Sequence, residues 1–291
     1  MTVAELLAEA AVELRRGGVD SPEWDAERLL RHVLGWDRAT LVASPSAGVP
    51  AVAERAFRRL VAERARRVPL QHLTGAQAFW KHEFRVTPDV LIPRPETELL
   101  VEAAIELLRG TPRPVIVDVG TGSGCIALSL AAERPEAAVH ATDVSGRALA
   151  VARENAESLG LAARVAFEQG DLLEPVAGLH GRIDLVVSNP PYVDPAERDT
   201  LAPEVRDHEP SLALFPPGDA LSVYRRLVPQ AAKALGPGGA LLLEIAPGLA
   251  DAVMALLRGH GFELVEVRPD LTGRSRAVLG RRALGPEPHV G

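Results

Sequence analysis

The chain has 291 residues, 32 basic and 39 acidic side chains giving a formal charge of −7, 47% hydrophobic residues and 4% aromatics. At about 100–200 residues per domain, this length suits two domains and a sizeable core. Its one cysteine, Cys125, excludes an internal disulfide framework and a multi-cysteine metal site, the scattered histidines indicate no metal centre, and the early Glu5, Glu9 and Glu13 run against the pattern of a secretory signal, so none is expected.

No uncharged apolar run approaches the ~20 residues that span a bilayer, so a soluble, cytoplasmic protein is expected. Through the first 70 residues Leu6, Leu7, Ala10 and Leu14 recur at helical spacing, and β-branched clusters are absent. Ser21-Pro22-Glu23 predicts a helix start, with serine as cap, proline in the first turn and Glu23 at the positive end of the dipole. Gly17-Gly18, Gly35 and residues 44–50 divide this region into about four helices. The last, over 52–68, carries Arg55, Arg58, Arg59, Arg64, Arg66 and Arg67 against Glu54 and Glu63. That pattern predicts either a solvated face or a docking surface for an acidic partner. Pro69 closes it, and residues 77–87 read as a β-hairpin around Lys81-His82-Glu83. The expected division is a helical domain 1–73, a hairpin linker 74–92 and a larger domain 93–291.

Helical periodicity returns over 97–108, and strands and helices then alternate. Strands are expected at 115–119, 138–142, 164–168, 183–188, 240–245, 263–268 and 276–280, with helices at 125–132, 147–158, 220–235 and 249–258. Alternation of this kind gives an α/β fold with a doubly wound, mainly parallel, seven-stranded sheet. The last two strands have no helix between them, which predicts an antiparallel edge.

The first of these strands runs into Asp118-Val-Gly120-Thr121-Gly122-Ser123-Gly124 and then a helix. Glycines at spacing two let the backbone pass close to a ligand at the carboxyl end of a strand, where doubly wound sheets bind nucleotides. Asp143 ends the second strand about 20 residues on, where a carboxylate can accept from both ribose hydroxyls. Asp171 follows the third strand, placed to meet an adenine amino group, and Leu172 can cover the ring. Three such positions at successive strand ends point to an adenosine site. This arrangement resembles the Rossmann-like class I S-adenosylmethionine-dependent methyltransferases, although the glycine loop alone leaves an NAD-type dehydrogenase open.

The fourth strand ends in Ser188-Asn189-Pro190-Pro191-Tyr192. Each proline lacks an N–H and holds the residue before it extended, so the Asn189 side-chain oxygen and the Pro190 carbonyl become two fixed acceptors. Two acceptors match the two hydrogens of a conjugated NH₂ group, and Tyr192 can stack on its plane. A glutamine amide and an adenine N6 both qualify. The stretch Leu91-Ile92-Pro93-Arg94-Pro95-Glu96-Thr97-Glu98 is similar to a segment of the protein-(glutamine-N5) methyltransferases that modify peptide chain release factors. His208-Glu209-Pro210 and residues 270–276 occupy places of related motifs, with His208 where that family often has an aromatic. The resemblance implies S-adenosylmethionine as cofactor and, as protein partner, a class I release factor methylated on the glutamine of its Gly-Gly-Gln loop. It places Gly120, Thr121, Gly122, Ser123, Gly124, Asp143, Asp171, Leu172 and Asn189 on the cofactor. Asn189, Pro190, Pro191 and Tyr192 fall on the glutamine as the catalytic set, with Ile92, Pro93, Arg94 and Glu96 closing the site.

A ribosomal-protein glutamine would use the same chemistry. An adenine-N6 enzyme would need a recognition domain and a basic groove, whereas residues 81–291 carry a net −8 against +1 for residues 1–80. Neither nucleic acid nor membrane is therefore an expected partner. A non-catalytic release-factor or ribosome binder would show cofactor binding without methyl transfer.

Overall fold

The computed structural model describes residues 1–284; the end of the expected 93–291 domain lies outside the described residues. Two compact units form. One comprises Met1–Ala76 together with Leu201–His208, and the other Gln77–Thr200 with the chain from Glu209 onward.

In the first unit α1 (Val3–Arg16), α2 (Pro22–Leu34), α3 (Arg38–Ala43), α4 (Ala51–Ala65) and α5 (Leu70–Thr74) bury Leu6, Leu14, Leu29, Leu30, Phe57 and Val61 in one apolar core. A capping box starts α1: the Glu5 N–H donates to Thr2 Oγ1 at 3.3 Å, and the Thr2 N–H donates to Glu5 Oε2 at 2.8 Å. Ser21 stands at the cap of α2 but its hydroxyl makes no capping bond.

The arginine-rich helix ends earlier than its periodicity predicts. Arg67 takes a left-handed φ of 68°, so α4 stops at Ala65 and a separate short α5 follows Pro69. Its arginines do not share one environment. Arg64 is buried and donates through Nε to Asp25 Oδ2 at 2.7 Å, while its Nη2 lies 2.8 Å from Glu204 Oε1. Arg67 forks onto both oxygens of Glu204 at 2.6 Å. Arg58 reaches Glu9 and Glu54, and Arg66 reaches Glu63. Only Arg55 and Arg59 of the six are exposed and without an ion pair among the described residues.

The hairpin β1 (Ala76–Phe79) and β2 (His82–Arg85), turned by Trp80 at φ 55°, starts on the last residue of the first unit and belongs from Gln77 on to the second. There follow α6 (Glu98–Leu107), β3 (Val115–Val119), α7 (Cys125–Glu133), β4 (Ala138–Asp143), α8 (Gly146–Ser158), β5 (Val165–Gln169) and β6 (Ile183–Ser188). After β6 come α9 (Pro203–His208), which packs in the first unit, α10 (Ser211–Leu214), α11 (Ser222–Ala234), β7 (Leu235–Glu244), α12 (Ala250–Gly259), β8 (Phe262–Pro269) and β9 (Ser275–Arg282).

The seven strands lie in the order β5-β4-β3-β6-β7-β9-β8. Five are parallel, and β9 runs antiparallel to both β7 and β8. The closing pair is antiparallel as expected, with the last strand inserted so that β8 forms the edge. Central strands are buried on both faces, since Leu185 and Val187 pack with Leu100 and Leu128 while Val186 packs with Tyr224 and Leu227. From β3 the chain winds outward through β4 and β5, then returns to lay β6 on the other side. This is a topological switch point. The register sets Val119 beside both Thr142 and Ser188, so the next residues, Gly120, Asp143 and Asn189, emerge side by side.

Candidate active site

At that point the backbone after β3 turns through Gly120 at φ 72°, Gly122 at 56° and Gly124 at 82°. A Cβ on Gly120 or Gly122 would meet nothing within 4 Å, so these glycines are required by conformation and leave open space above the loop. Gly124 instead packs against Leu128 and Ala152 at the start of α7. The loop is stitched down from two sides. The Gly120 and Thr121 N–H groups donate to Thr142 O at 2.8 and 3.0 Å, and the Gly122 N–H donates to Asp143 Oδ2 at 2.9 Å. Asp143 Oδ1 accepts from the Ser145 N–H at 2.8 Å. Burial pushes the Asp143 carboxyl up despite these backbone donors. Beneath the loop, fully buried Asp118 accepts at Oδ2 from Thr121 Oγ1 at 2.6 Å and from the Ala127 N–H at 3.2 Å, while its Oδ1 has no partner. Burial raises Asp118 to about 7, and nearby Asp143 adds to the rise.

A cavity of about 330 Å³ opens over these strand ends. Gly120 to Ser123, Asp143, Asp171 and Leu172 form one part of its wall, and Asn189, Pro190, Pro191, Pro93 and Arg94 another. Leu172 stands at φ 50°, unusual for a side chain with a Cβ, and is held there by Thr142 Oγ1, which donates to its carbonyl at 2.8 Å. Asp171 already pairs with Arg226 through Oδ2. Cys125 also lines the cavity, with burial pushing its thiol up to about 12. Gly124, Ile92, Glu96 and Tyr192 are not part of the wall. Ile92 is buried with its N–H donating to Glu209 Oε2 at 3.2 Å, and Glu96 is exposed. Glu209 also pairs with Arg94, so a buried carboxylate pins the proline-rich segment, whereas His208 groups with the first unit.

Asn189 donates through Nδ2 to Thr97 Oγ1 at 3.2 Å. Neither Asn189 Oδ1 nor Pro190 O accepts a hydrogen bond among the described residues. Behind them lies Glu244, 1% exposed, whose Oε2 accepts from Thr97 Oγ1 at 2.7 Å and whose Oε1 accepts from the Tyr192 hydroxyl at 3.1 Å. Burial raises Glu244, opposed by the bonds from Thr97 and Tyr192, and burial beside Glu244 raises the Tyr192 phenol. Sequence reasoning gave Asp118, Thr97, Glu209 and Glu244 no role. Glu244 had a signal: a lone carboxylate in the apolar run Ala240–Ile245.

A family model described as PrmC N-terminal domain matches residues 5–75, and one described as Methyltransferase small domain matches residues 96–205. The release factor glutamine methyltransferase of Deinococcus radiodurans is 50% identical over 287 residues, covering 98% of this chain and 100% of that one. The chain belongs to the release factor glutamine methyltransferase family. Another member, from Cereibacter sphaeroides, is 45% identical over 281 residues, covering 97% of this chain and 99% of its own. As a methyltransferase of this family, the protein leaves no place for the dehydrogenase reading of the glycine loop. At the level of fold alone, a methyltransferase from Pyrococcus furiosus matches with a TM-score of 0.50 at 18% identity, over 71% of this chain and 92% of that one. No helix among the described residues is long and apolar enough to cross a membrane.

Proposed function

We propose that this methyltransferase transfers a methyl group from S-adenosylmethionine to the side-chain nitrogen of the glutamine in the Gly-Gly-Gln loop of class I peptide chain release factors, in the cytoplasm. The observation that carries the reading is the pair of free acceptors, Asn189 Oδ1 and Pro190 O, on residues that line the same cavity as the open glycine loop. The residues present fit the cofactor: Asp143 offers lone pairs to the ribose, Leu172 an apolar cover for the adenine, and the open face of Gly120 to Gly122 room for the methionine part. When bound, S-adenosylmethionine supplies an electrophilic sulfonium methyl.

The protein's own part is orientation. A glutamine amide is a weak nucleophile because its nitrogen lone pair is delocalised. Asn189 Oδ1 and Pro190 O take one hydrogen each, fixing the NH₂ plane so that the lone pair faces the donor. Such positioning is worth several kcal/mol, up to about 7–11 in favourable cases. The N–C bond would form as the sulfonium S–C bond breaks, its electron pair staying on a neutral thioether; the same two oxygens stabilise the positive charge on nitrogen until one N–H proton passes to water, leaving a neutral N-methyl amide. Tyr192 holds the far end of the motif through Glu244. Residues 1–73 would dock the protein substrate, 74–92 link, and 93–291 carry the chemistry.

Incubation with labelled S-adenosylmethionine and either a release factor or its Gly-Gly-Gln glutamine-to-alanine variant tests this. Label on the first and none on the second is expected. Equal label on both would overturn the target, and transfer to a ribosomal protein alone would move the substrate while keeping the chemistry.

A further inference from the structure

Glu244 is a fully buried carboxylate to which the mechanism above gives no part beyond anchoring Tyr192, yet it holds both ends of the acceptor motif. One oxygen receives the Tyr192 hydroxyl at 3.1 Å. The other receives the Thr97 hydroxyl at 2.7 Å, and Thr97 Oγ1 in turn receives the Asn189 amide at 3.2 Å. The Tyr224 hydroxyl fixes the Glu244 backbone by donating to its carbonyl at 2.7 Å. These groups come from four stretches separate in sequence: the proline-rich segment, the motif after β6, α11 and β7.

From this geometry we infer that Glu244, acting through Thr97, sets the direction of the Asn189 side-chain amide and so aims its oxygen at the substrate nitrogen. The inference rests on the function proposed above. A hydroxyl has one proton to give. With that proton committed to Glu244 Oε2, Thr97 presents only lone pairs to Asn189. The Asn189 NH₂ must therefore face Thr97, and Oδ1 must face the cavity. A reversed amide would set Oδ1 against the Thr97 lone pairs and offer the substrate's NH₂ another NH₂, donor against donor. Asn189 is thus useful in only one of its two near-isosteric orientations, and its own shape does not choose between them. Thr97 and Glu244 are positioning residues that touch no reacting atom. They also give the threonine of the proline-rich segment a function that its place before α6 does not require, since its side chain makes no capping bond there.

The test compares Thr97→Val, which keeps the shape and removes the hydroxyl, with Thr97→Ser, which keeps the hydroxyl, and with Glu244→Gln. Three quantities are read: kcat and KM on a release factor, the S-adenosylmethionine Kd, and the exchange rate of the Asn189 side-chain NH₂ protons in ¹⁵N-labelled protein without substrate, assigned by their loss in Asn189→Asp. Thr97→Val should lower kcat by about tenfold or more with the cofactor Kd within about twofold, while Thr97→Ser recovers most of the loss. Exchange of the Asn189 NH₂ should speed up in Thr97→Val and Glu244→Gln but not in Thr97→Ser. If Thr97→Val does not fold, Glu244→Gln carries the same expectation. A kcat within twofold of wild type in the hydroxyl-free variant, equal damage from Val and Ser, or unchanged NH₂ exchange would overturn the inference. If wild type does not methylate the release factor while the exchange pattern appears as expected, the proposed substrate fails and the orientation of Asn189 stands.

Discussion

Replacing Glu204 by glutamine should destabilise the helical unit by about 3 kcal/mol. Glu204 is 16% exposed at its side chain and binds two guanidinium groups, with Arg64 Nη2 at 2.8 Å and Arg67 Nε and Nη2 both at 2.6 Å. Arg64 is 8% exposed and shares its charge with Asp25 alone once Glu204 is neutral. Opposite charges about 4 Å apart attract by about 4 kcal/mol at an effective dielectric near 20, and desolvation offsets much of that gross figure. Glutamine keeps the shape and one acceptor oxygen, so the loss isolates charge. Urea unfolding followed by tryptophan fluorescence in a Trp80→Phe background would report on this unit, because Trp24 and Trp36 both lie in it. A double-mutant cycle with Arg67→Ala should give a coupling of at least about 1.5 kcal/mol. The loss should also depend on pH. Burial works to raise the Glu204 carboxyl, but hydrogen bonds from Arg67 and Arg64 outweigh it and hold the group below its ordinary 4.5. A folded value below the unfolded one gives stability that is present above the unfolded value and lost as pH falls through the folded one. The gap between wild type and Glu204→Gln should accordingly close on acidification below about pH 4. A neutral-pH loss under about 1 kcal/mol, or a gap that does not change with pH, would refute the buried-pair account.

Asn189→Ala should abolish methyl transfer while cofactor affinity, measured by calorimetry, stays within about tenfold, and retained turnover would refute the two-acceptor clamp. Gly122→Ala forces a Cβ into φ 56° and into the open space over the loop, so cofactor affinity should drop at least about tenfold and stability by about 1 kcal/mol or more. Asp118 has a folded value of about 7, above its ordinary 3.8, so its contribution is full below pH 3.8 and lost as pH rises through 7. Wild type should therefore lose stability relative to Asp118→Asn between about pH 4 and 7, by at most about 1.4 kcal/mol per unit, and parallel pH curves from denaturant titrations would contradict this.

The sequence by itself determined the order and type of the elements in the larger unit, because a buried parallel strand and its crossover helix each leave a local periodicity. Strands 115–119 and 183–188 are found at their expected bounds. It also marked the glycine loop, which turns at positive φ through Gly120, Gly122 and Gly124, since φ preference is a property of single residues. Tertiary structure decided what depends on partners distant in the chain. The arginines of residues 52–68 looked alike along the sequence, yet Glu204, from beyond the acceptor motif, makes Arg64 and Arg67 structural. Strand β9 enters between β7 and β8, an order that no local signal encodes. Tyr192 turns its hydroxyl to the buried Glu244, a partner that no local signal names. The direction of the Asn189 amide follows from where Thr97 spends one proton, and that is fixed only when strands and segments some 50 to 150 residues apart come into hydrogen-bonding distance.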